Sequence, residues 1–196
     1  MNAPHAMIGT TLTSKIIPPT VGKDDPLRIE VEEFRHIHAF GRYEKSDGRE
    51  RDEYDIDATY LTVHEGDVLV GACRIVDKKN GKLLPIQVRR DFMDIPEGIP
   101  TGEISRICFA FHTQDGAGIR ELLYRTIFDF TVAQGYDVCY ASLQPYYFRF
   151  LDKKFENRMI QRIAPDARRL KDGVEKVYVP AVITMKNWAH YYSISG

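Results

Sequence analysis

The chain has 196 residues, 43% of them hydrophobic and 28% charged, which is typical of one globular domain with an apolar core and excludes a chain that is disordered throughout. The formal net charge of -1 indicates no general affinity for nucleic acid. Because no apolar run approaches the ~20 residues of a membrane span and the apolar segment of a secretory signal is missing, we expect a cytoplasmic protein without stable membrane insertion.

The cysteines and histidines do not form a metal-binding pattern. Cys73, Cys108 and Cys139 each lie in an apolar, strand-like run without CxxC spacing, which favours buried, reduced thiols. His36 and His38 would point to different faces of a helix and make a poor metal site. We therefore expect neither a metal ion nor a resident cofactor.

The N-terminal segment differs from the rest of the chain in composition. Residues 1–26 are mostly small and polar and include Pro18 and Pro19, so we expect a loosely ordered arm. Residues 27–196 contain no internal repeat and no linker, which predicts a single domain.

The domain is predicted to begin with a strand and a helix. Residues 27–31 alternate between apolar and charged side chains, as in a short strand, and residues 34–40 have the apolar spacing of a helix. Residues 44–57 are charged and aperiodic around Gly48, which predicts an exposed loop.

A hairpin and an irregular segment come next. Residues 60–64 and 68–76 are predicted strands around a turn at residues 65–67, and Asn80-Gly81 marks a further turn. Residues 84–102 are rich in proline and glycine, which predicts irregular structure apart from a helical turn over residues 88–93. A segment of this kind can lie over a binding site.

The second half of the chain is predicted to form a strand, a glycine turn, a helix and a second strand. Residues 104–111 are a strongly apolar strand, residues 119–134 have helical spacing that ends at Gly135, and residues 136–143 form another buried strand. An aromatic helix (145–155), a late strand (176–185) and a short tail with Trp188 complete the predicted elements.

The glycine turn is a candidate phosphate site. Gln114, Gly116 and Gly118 lie between a buried strand and the first turn of a helix, where backbone N–H groups and the helix dipole attract an anion. No Gly-Lys-Ser/Thr follows, so this is not a P-loop. The alternative is a turn that only joins two elements.

The order of elements from this turn to residue 155 resembles the GNAT acyltransferases. The resemblance implies a single-domain α/β fold with a mixed, mostly antiparallel sheet flanked by helices. It also implies that strands 103–111 and 136–143 splay into a wedge that holds the pantetheine arm of an acyl donor, with Phe109 among its contacts. The Gln-x-Gly-x-Gly spacing is one residue shorter than the usual loop of that superfamily.

Three charged motifs occur in a fixed order. They resemble those of the LuxI-type acyl-homoserine-lactone synthases and of the N-acyl amino acid synthases, and Arg35 matches the early arginine of these families. The patterns E-x-D-x-Y-D, G-x-x-R and E-x-S-R match at Glu50, Asp52, Tyr54, Asp55, Gly71, Arg74, Glu103, Ser105 and Arg106.

The resemblance implies a positioning role for the first two motifs. Together they suggest that Asp52 and Asp55 hold Arg35 and Arg74, which would fix the charged loop over the sheet and shape a polar acceptor pocket. Taken singly, each motif is equally consistent with a solvated acidic face or an ordinary ion pair.

Glu103 and Arg106 are the candidate catalytic residues. Amide formation from a thioester needs a base for the amine, and a partly buried Glu103 with a raised pKa suits this work through a water molecule. The alternative is that Glu103 only pairs with an arginine. Regular alternation would place the two residues on opposite faces, so a bulge is expected if both serve one site.

Departures from the homoserine-lactone synthases bear on the acceptor. Their tryptophans are replaced by the Phe40-Gly41-Arg42-Tyr43 region and by Gly102 before Glu103. These changes favour a free amino acid, tyrosine first, as in the N-acyl tyrosine synthases. The alternatives are a homoserine-lactone synthase that uses S-adenosylmethionine and a non-catalytic module that binds acyl thioesters.

A basic segment near the C-terminus is a candidate partner surface. Residues 149–171 carry eight basic and three acidic side chains, and an acidic carrier protein would be attracted to such a patch. An acyl carrier protein is the partner that the resemblance implies, whereas nucleic acid and a merely solvated face are the alternatives. The residues assigned to this carrier patch are Arg149, Lys153, Lys154 and Arg158.

Overall fold

The computed structural model describes residues 11–38, 48–78, 82–110, 116–171 and 174–195. Within these ranges the strands are β1 (Leu12–Ile17), β2 (Thr59–Glu65), β3 (Val68–Asp77), β4 (Thr101–Phe109), β5 (Val138–Leu143), β6 (Ile160–Arg162), β7 (Ala167–Lys171) and β8 (Val174–Thr184). The helices are α1 (Pro26–His38), α2 (Pro85–Val88), α3 (Gly116–Ala133), α4 (Pro145–Lys154) and α5 (Met185–Ser195), with a 3-10 helix over Glu53–Ile56.

The strands form a mixed, mostly antiparallel sheet. Their order is β1-β2-β3-β4-β5-β8-β6, with β7 paired to β8. Only β4 and β5 are parallel among the pairs that the described residues form. The sheet with helices on both faces confirms the α/β fold that the sequence implied.

The N-terminal predictions need correction. The expected loosely ordered arm is wrong for Leu12–Ile17, because this segment is strand β1 and pairs along its whole length with β2. The predicted strand over residues 27–31 is also wrong, since α1 begins at Pro26, where proline suits the first turn of a helix. The buried face of α1 contains Arg28 and Arg35. Because these buried residues are charged, the spacing of apolar residues alone does not indicate the helix.

The rest of the predicted core elements agree with the structure. The hairpin is β2 and β3, and the later strands and helices are β4, α3, β5, α4 and β8. The helical turn lies at Pro85–Val88 rather than at residues 88–93. Strands β6 and β7 and helix α5 were not predicted. The predicted turn at Asn80-Gly81 lies outside the described residues.

Two apolar layers cover the sheet. On one face, α3, α4 and α5 pack over a large core that includes Leu123, Ile127 and Trp188. On the other face, α1 and α2 cover a smaller core that includes Val31 and Ile86. The cysteines are buried and free, as expected. Within the described part of the chain, no helix is long and apolar enough to cross a membrane.

The predicted wedge lies between β4 and β5. The two strands pair only from Thr101 with Val138 to Glu103 with Tyr140. On its other edge β5 pairs with β8 over its whole length, and β4 pairs with β3 on both sides of Glu103. The strands therefore part at Glu103, and this splay leaves a gap on the carboxyl side of the parallel pair.

Candidate active site

A cavity of about 260 Å³ occupies the gap between β4 and β5. Its lining combines apolar and aromatic side chains with polar and charged ones. The apolar and aromatic lining residues are Ile104, Ile107, Phe109, Leu143, Tyr146, Tyr147 and Tyr178. The polar and charged lining residues are Arg89, Glu103, Ser105, Arg106, Ser142, Gln144 and Arg169.

Glu103 lies where the two strands part, and its side chain is 0% exposed. The Ile86 N–H donates to Glu103 Oε2 at 2.5 Å, and Arg89 Nη2 donates to Oε1 at 2.6 Å. Burial raises the pKa of Glu103 above its ordinary value, although the Arg89 guanidinium opposes this shift. Glu103 is fully buried rather than partly buried as expected, and the arginine pairing that was the alternative is present. Its role as a base stays a prediction.

Arg106 shares the cavity with Glu103 because β4 bulges. Ser105 pairs with Arg74 and Cys108 pairs with Ala72, so two residues of β4 face one residue of β3. Arg106 has a φ of 56°, a left-handed conformation that is uncommon outside glycine. The bulge expected if both residues serve one site is present, and it keeps Arg106 on the cavity wall.

Arg106 belongs to a network of three arginines and three carboxylates, which we call the β4 ion network. Arg35 contacts Glu50 (Nε to Oε2, 2.6 Å) and Asp55 (Nη1 to Oδ1, 2.8 Å). Arg74 contacts Asp52 (Nη1 to Oδ1, 2.6 Å) and Asp55 (Nη1 to Oδ1, 3.1 Å). Arg106 contacts Glu50 (Nη1 to Oε1, 2.8 Å) and Asp52 (Nη2 to Oδ2, 3.0 Å).

Asp55 contacts both Arg35 and Arg74, and Asp52 contacts Arg74, while the role of these residues at an acceptor pocket stays a prediction. The predicted exposed loop is wrong at Glu50 and Asp55, which are both buried. Burial would raise the pKa of Asp55, but Arg35 and Arg74 hold it well below its usual range. Because the three positive and three negative charges balance, four of these side chains can be buried, while those of Asp52 and Arg106 stay 23% and 21% exposed.

The backbone of the acidic loop is shaped by its own carboxylates. Asp52 Oδ1 accepts from the Tyr54 N–H at 3.0 Å, and Asp55 Oδ2 accepts from the Asp52 N–H at 2.6 Å. This reciprocal capping begins the 3-10 helix over Glu53–Ile56. The same carboxylates therefore fix both the local backbone and the arginines.

Arg35 and Arg74 do not line the cavity. Both side chains are fully buried, and Arg74 Nε also donates to Ser105 Oγ at 3.2 Å. Asp52 and Asp55 instead line a second depression beside α1, of about 790 Å³. The predicted acceptor pocket around these four residues is therefore separate from the cavity that contains Glu103, and the two are joined through Arg106.

A second charged cluster was not predicted, and we call it the Asp91 cluster. Asp91 accepts from Ser142 Oγ at 2.6 Å and contacts Arg169 on β7, and its Oδ2 lies 3.7 Å from Arg89 Nε. Arg89 connects this cluster to Glu103. The contact between Asp91 and Arg169 joins distant parts of the chain, and β7 has no apolar pattern that would reveal it.

The structure describes three of the four residues predicted to bind phosphate and pantetheine. Phe109 lines the cavity and packs edge-on against Tyr124, with ring centroids 6.4 Å apart. Gly116 starts α3 and Gly118 lies in its first turn, so the expected separate turn is part of the helix. Gln114 lies outside the described residues.

The exposure of the four residues assigned to the carrier patch differs among them. Arg149, Lys153 and Arg158 are exposed. Lys154 instead donates to Glu121 at 2.7 Å and lies over the ring of Phe155, so it stabilises the junction of α3 and α4. Three of the four residues are therefore free of burial and available to a partner, and the carrier patch itself stays a prediction.

The chemistry of the site is that of carboxylates, guanidinium groups and aromatic rings. Among the residues that the structure describes, no three His, Cys, Asp or Glu side chains are placed to hold a metal ion. A buried glutamate beside an opening between two strands is an arrangement suited to proton transfer.

The fold is that of the GNAT-like acyltransferases. Comparison of the sequence with protein-family models and with curated proteins finds no match. Among solved structures, the chain is similar to the acyl-homoserine-lactone synthase LasI, with 16% identity and a TM-score of 0.71 over 94% of this chain and 96% of that one.

Two further structures are similar over most of their length. The CoA-dependent acyl-homoserine-lactone synthase BjaI, solved with S-adenosylmethionine and isopentyl-CoA, has 17% identity and a TM-score of 0.72 over 93% of this chain and 89% of that one. FeeM, an N-acyl amino acid synthase from uncultured soil microbes, has 15% identity and a TM-score of 0.56 over 92% and 94%. These comparisons match the superfamily that the motifs resembled, at the level of the fold.

Proposed function

We propose that the protein is an N-acyltransferase that moves a long-chain fatty acyl group from an acyl carrier protein thioester to the amine of a free amino acid, with tyrosine as the first choice. The observation that carries the proposal is the position of Glu103. This residue combines a buried carboxylate, a raised pKa and a place at the point where β4 and β5 part.

The proposed reaction is aminolysis of a thioester. The neutral amine attacks the thioester carbonyl carbon, a C–N bond forms, the C–S bond breaks, and the thiol leaves. Glu103 accepts the proton of the amine through one water molecule and passes it to the leaving thiolate. The backbone edge of β4 beyond Glu103 faces the gap rather than β5, so its N–H groups can donate to the developing oxyanion.

The acyl donor suits the apolar part of the cavity. Ile107, Phe109 and Leu143 form a wall where a thioester and the start of an acyl chain would be removed from water. The exposed Arg149 and Lys153 lie on α4, which begins beside the same opening. A carrier protein that docks there would deliver its pantetheine arm towards the wedge.

The space around Gly102 supports an amino acid acceptor. The position before Glu103, which is tryptophan in the homoserine-lactone synthases that the sequence resembles, has no room for a side chain here. A Cβ on Gly102 would lie 2.8 Å from the Val76 carbonyl oxygen and 3.2 Å from the Tyr136 ring. A pocket that depends on an aromatic ring at this position is therefore not available to S-adenosylmethionine.

The second candidate is an acyl-homoserine-lactone synthase. The TM-scores of 0.71 with LasI and 0.72 with BjaI exceed the 0.56 with FeeM, which favours this candidate on overall shape. The acceptor would then be S-adenosylmethionine, and the product would be a lactone. Because BjaI is CoA-dependent, acyl-CoA is a donor that has to be compared with the carrier protein.

One competition experiment separates these candidates. Labelled long-chain acyl carrier protein and the matching acyl-CoA are each offered to the protein with tyrosine, other amino acids and S-adenosylmethionine, and products are identified by mass spectrometry. Acyl-tyrosine supports the proposal, and a lactone made only from S-adenosylmethionine supports the second candidate. No product from any acceptor, together with tight binding of the acyl donor, identifies a non-catalytic module.

A further inference from the structure

We propose that Arg169 binds the α-carboxylate of the acceptor, which places the amine of that acceptor beside Glu103. This inference rests on the proposed function for the identity of the acceptor. It names a residue on β7 that none of the sequence motifs includes.

Arg169 is held in a fixed position on the cavity wall. Its guanidinium contacts the Asp91 carboxylate, and its Cζ lies 4.0 Å from the centroid of the Tyr178 ring. Ser142 donates to the same carboxylate of Asp91 at 2.6 Å. A guanidinium fixed from two sides loses little conformational freedom when it binds a ligand.

The accessible half of each ion pair in this region is the arginine. The side chains of Arg89 and Arg169 are 28% and 25% exposed, whereas those of Glu103 and Asp91 are 0% and 1% exposed. The acids therefore lie behind the arginines, and a ligand that enters the cavity meets guanidinium donors first. Carboxylates are the groups that such planar donors bind best.

The lining of the cavity indicates which end of the acceptor lies there. Ile107, Phe109 and Leu143 suit the acyl thioester, whereas the guanidinium groups of Arg89 and Arg169 are the lining groups suited to a carboxylate. Arg89 contacts both Glu103 and Asp91. A carboxylate at Arg169 therefore lies only one side chain away from the proposed base.

The depression beside α1 is a poorer site for a carboxylate. Its lining includes five acidic residues (Asp24, Glu32, Asp52, Glu53 and Asp55) and four basic residues (Lys23, Arg28, Arg49 and Arg51). An anionic group would meet net negative charge there. The wedge cavity, lined by three arginines and one glutamate, has the opposite balance.

The test compares acceptors with and without the carboxylate. The ratio of kcat/KM for tyrosine to kcat/KM for tyramine is measured in the wild type, in Arg169→Gln and in Arg168→Gln. Arg168 is the matched control because it lies next to Arg169 on β7, is mostly exposed and pairs with Glu175 on the surface. We expect the ratio to fall about 10- to 100-fold in Arg169→Gln and to stay unchanged in Arg168→Gln, since a charged hydrogen bond to the carboxylate is lost only in the former.

The donor reaction provides the internal check. The KM for the acyl donor should be close to that of the wild type in both variants, which shows that the change is confined to the acceptor. The melting temperature of Arg169→Gln is expected to fall, because the buried Asp91 loses a charged partner. The ratio of kcat/KM values is unaffected by this loss, since both acceptors are compared on the same folded variant. If Arg169→Gln keeps the wild-type preference for tyrosine over tyramine while tyrosine is acylated, the inference is overturned and the proposed function stands.

S-adenosylmethionine and its decarboxylated form are a second pair of acceptors, and they test the Arg169 site separately from the proposed amino acid acceptor. If the wild type acylates only S-adenosylmethionine, the proposed amino acid acceptor is wrong, and the same ratio is measured with S-adenosylmethionine and its decarboxylated form. Loss of the preference in Arg169→Gln then supports the carboxylate site for that acceptor. An unchanged preference overturns it, and so does calorimetry that detects no binding of any carboxylate-bearing acceptor to the wild type.

Discussion

Glu103 and Arg106 line one cavity although a regular strand would turn them to opposite faces, because β4 bulges at Arg106. Through this bulge Arg106 reaches Glu50 and Asp52. Arg106 therefore connects the acidic loop before β2 to the wedge after Glu103. We expect substitutions in the β4 ion network to change the position of Arg106 and, with it, the surroundings of Glu103.

The first prediction concerns Glu103→Gln. We expect the variant to fold, because the amide can still accept from the Ile86 N–H, and to lose about 10²- to 10⁴-fold in turnover, the usual range for a lost general base. The matched control is Glu97→Gln, at an exposed glutamate that pairs with Lys78. Acyl transfer at the wild-type rate in Glu103→Gln would remove Glu103 from the mechanism.

The second prediction concerns the pH dependence of kcat/KM for the acceptor. Burial raises the pKa of Glu103 and Arg89 lowers it, so Arg89→Gln should raise the pKa further. Because the base works in its ionised form, we expect the acidic limb of the profile to move to higher pH in the variant. The ionisation of the acceptor amine is the same in both proteins, so the difference between the two profiles isolates the enzyme group.

The control for this prediction is Arg90→Gln. Arg90 is exposed and carries the same charge as its neighbour Arg89, but only Arg89 contacts Glu103 among the arginines of this segment. We expect the Arg90 variant to have the wild-type profile. If the acidic limb of the pH profile lies at the same pH in Arg89→Gln as in the wild type, the group that ionises there is not Glu103.

Much of the fold was predictable because the buried side chains of most elements are apolar and recur at the spacing of a strand or a helix. The hairpin of β2 and β3 and the unit of β4, α3 and β5 follow from it. The start of the chain was mispredicted because α1 buries Arg28 and Arg35 on the same face as Val31. A pattern of hydrophobic residues cannot reveal a helix whose buried stripe is partly guanidinium.

The site was predictable where its residues belong to local motifs. The pairing of Asp52 and Asp55 with Arg35 and Arg74 could be inferred because the acids share a short segment and the motifs occur in order. The contact of Asp91 with Arg169 could not be inferred, since it depends on how the hairpin of β7 and β8 lies over the cavity. Long-range geometry of this kind has no signature in either local sequence.

The third prediction concerns the stability of the β4 ion network. Asp55→Asn removes the charge that lies between the fully buried Arg35 and Arg74. We expect the free energy of unfolding to fall by about 3 kcal/mol, the lower end for a broken buried pair, because Glu50 and Asp52 still contact the two arginines. The control, Asp57→Asn, removes a surface pair with Lys82 and should cost no more than about 0.5 kcal/mol in urea unfolding.

The same network gives stability a defined pH dependence. The pKa of Asp55 is lower in the folded protein than the value of about 3.9 expected when it is unfolded. Its contribution is therefore present above about pH 4 and is lost as the pH falls through the folded value. We expect the difference in unfolding free energy between wild type and Asp55→Asn to shrink below about pH 4, and a constant difference down to about pH 2 would contradict this assignment.

The last prediction concerns the carrier patch. Arg149 and Lys153 are exposed on α4, so reversing both to glutamate should slow association with an acidic carrier protein without altering the cavity. Lys154 is left unchanged because its ion pair with Glu121 would make its loss a change in stability. The control reverses the exposed Lys186 on α5 to glutamate.

We expect a lower kcat/KM for the carrier-bound donor in the double variant alone, with little change for a free pantetheine thioester. Added salt should lower the wild-type value towards that of the variant, because a screened patch no longer attracts its partner. Equal kcat/KM for the wild type and the double variant at low salt would show that the patch is only solvated.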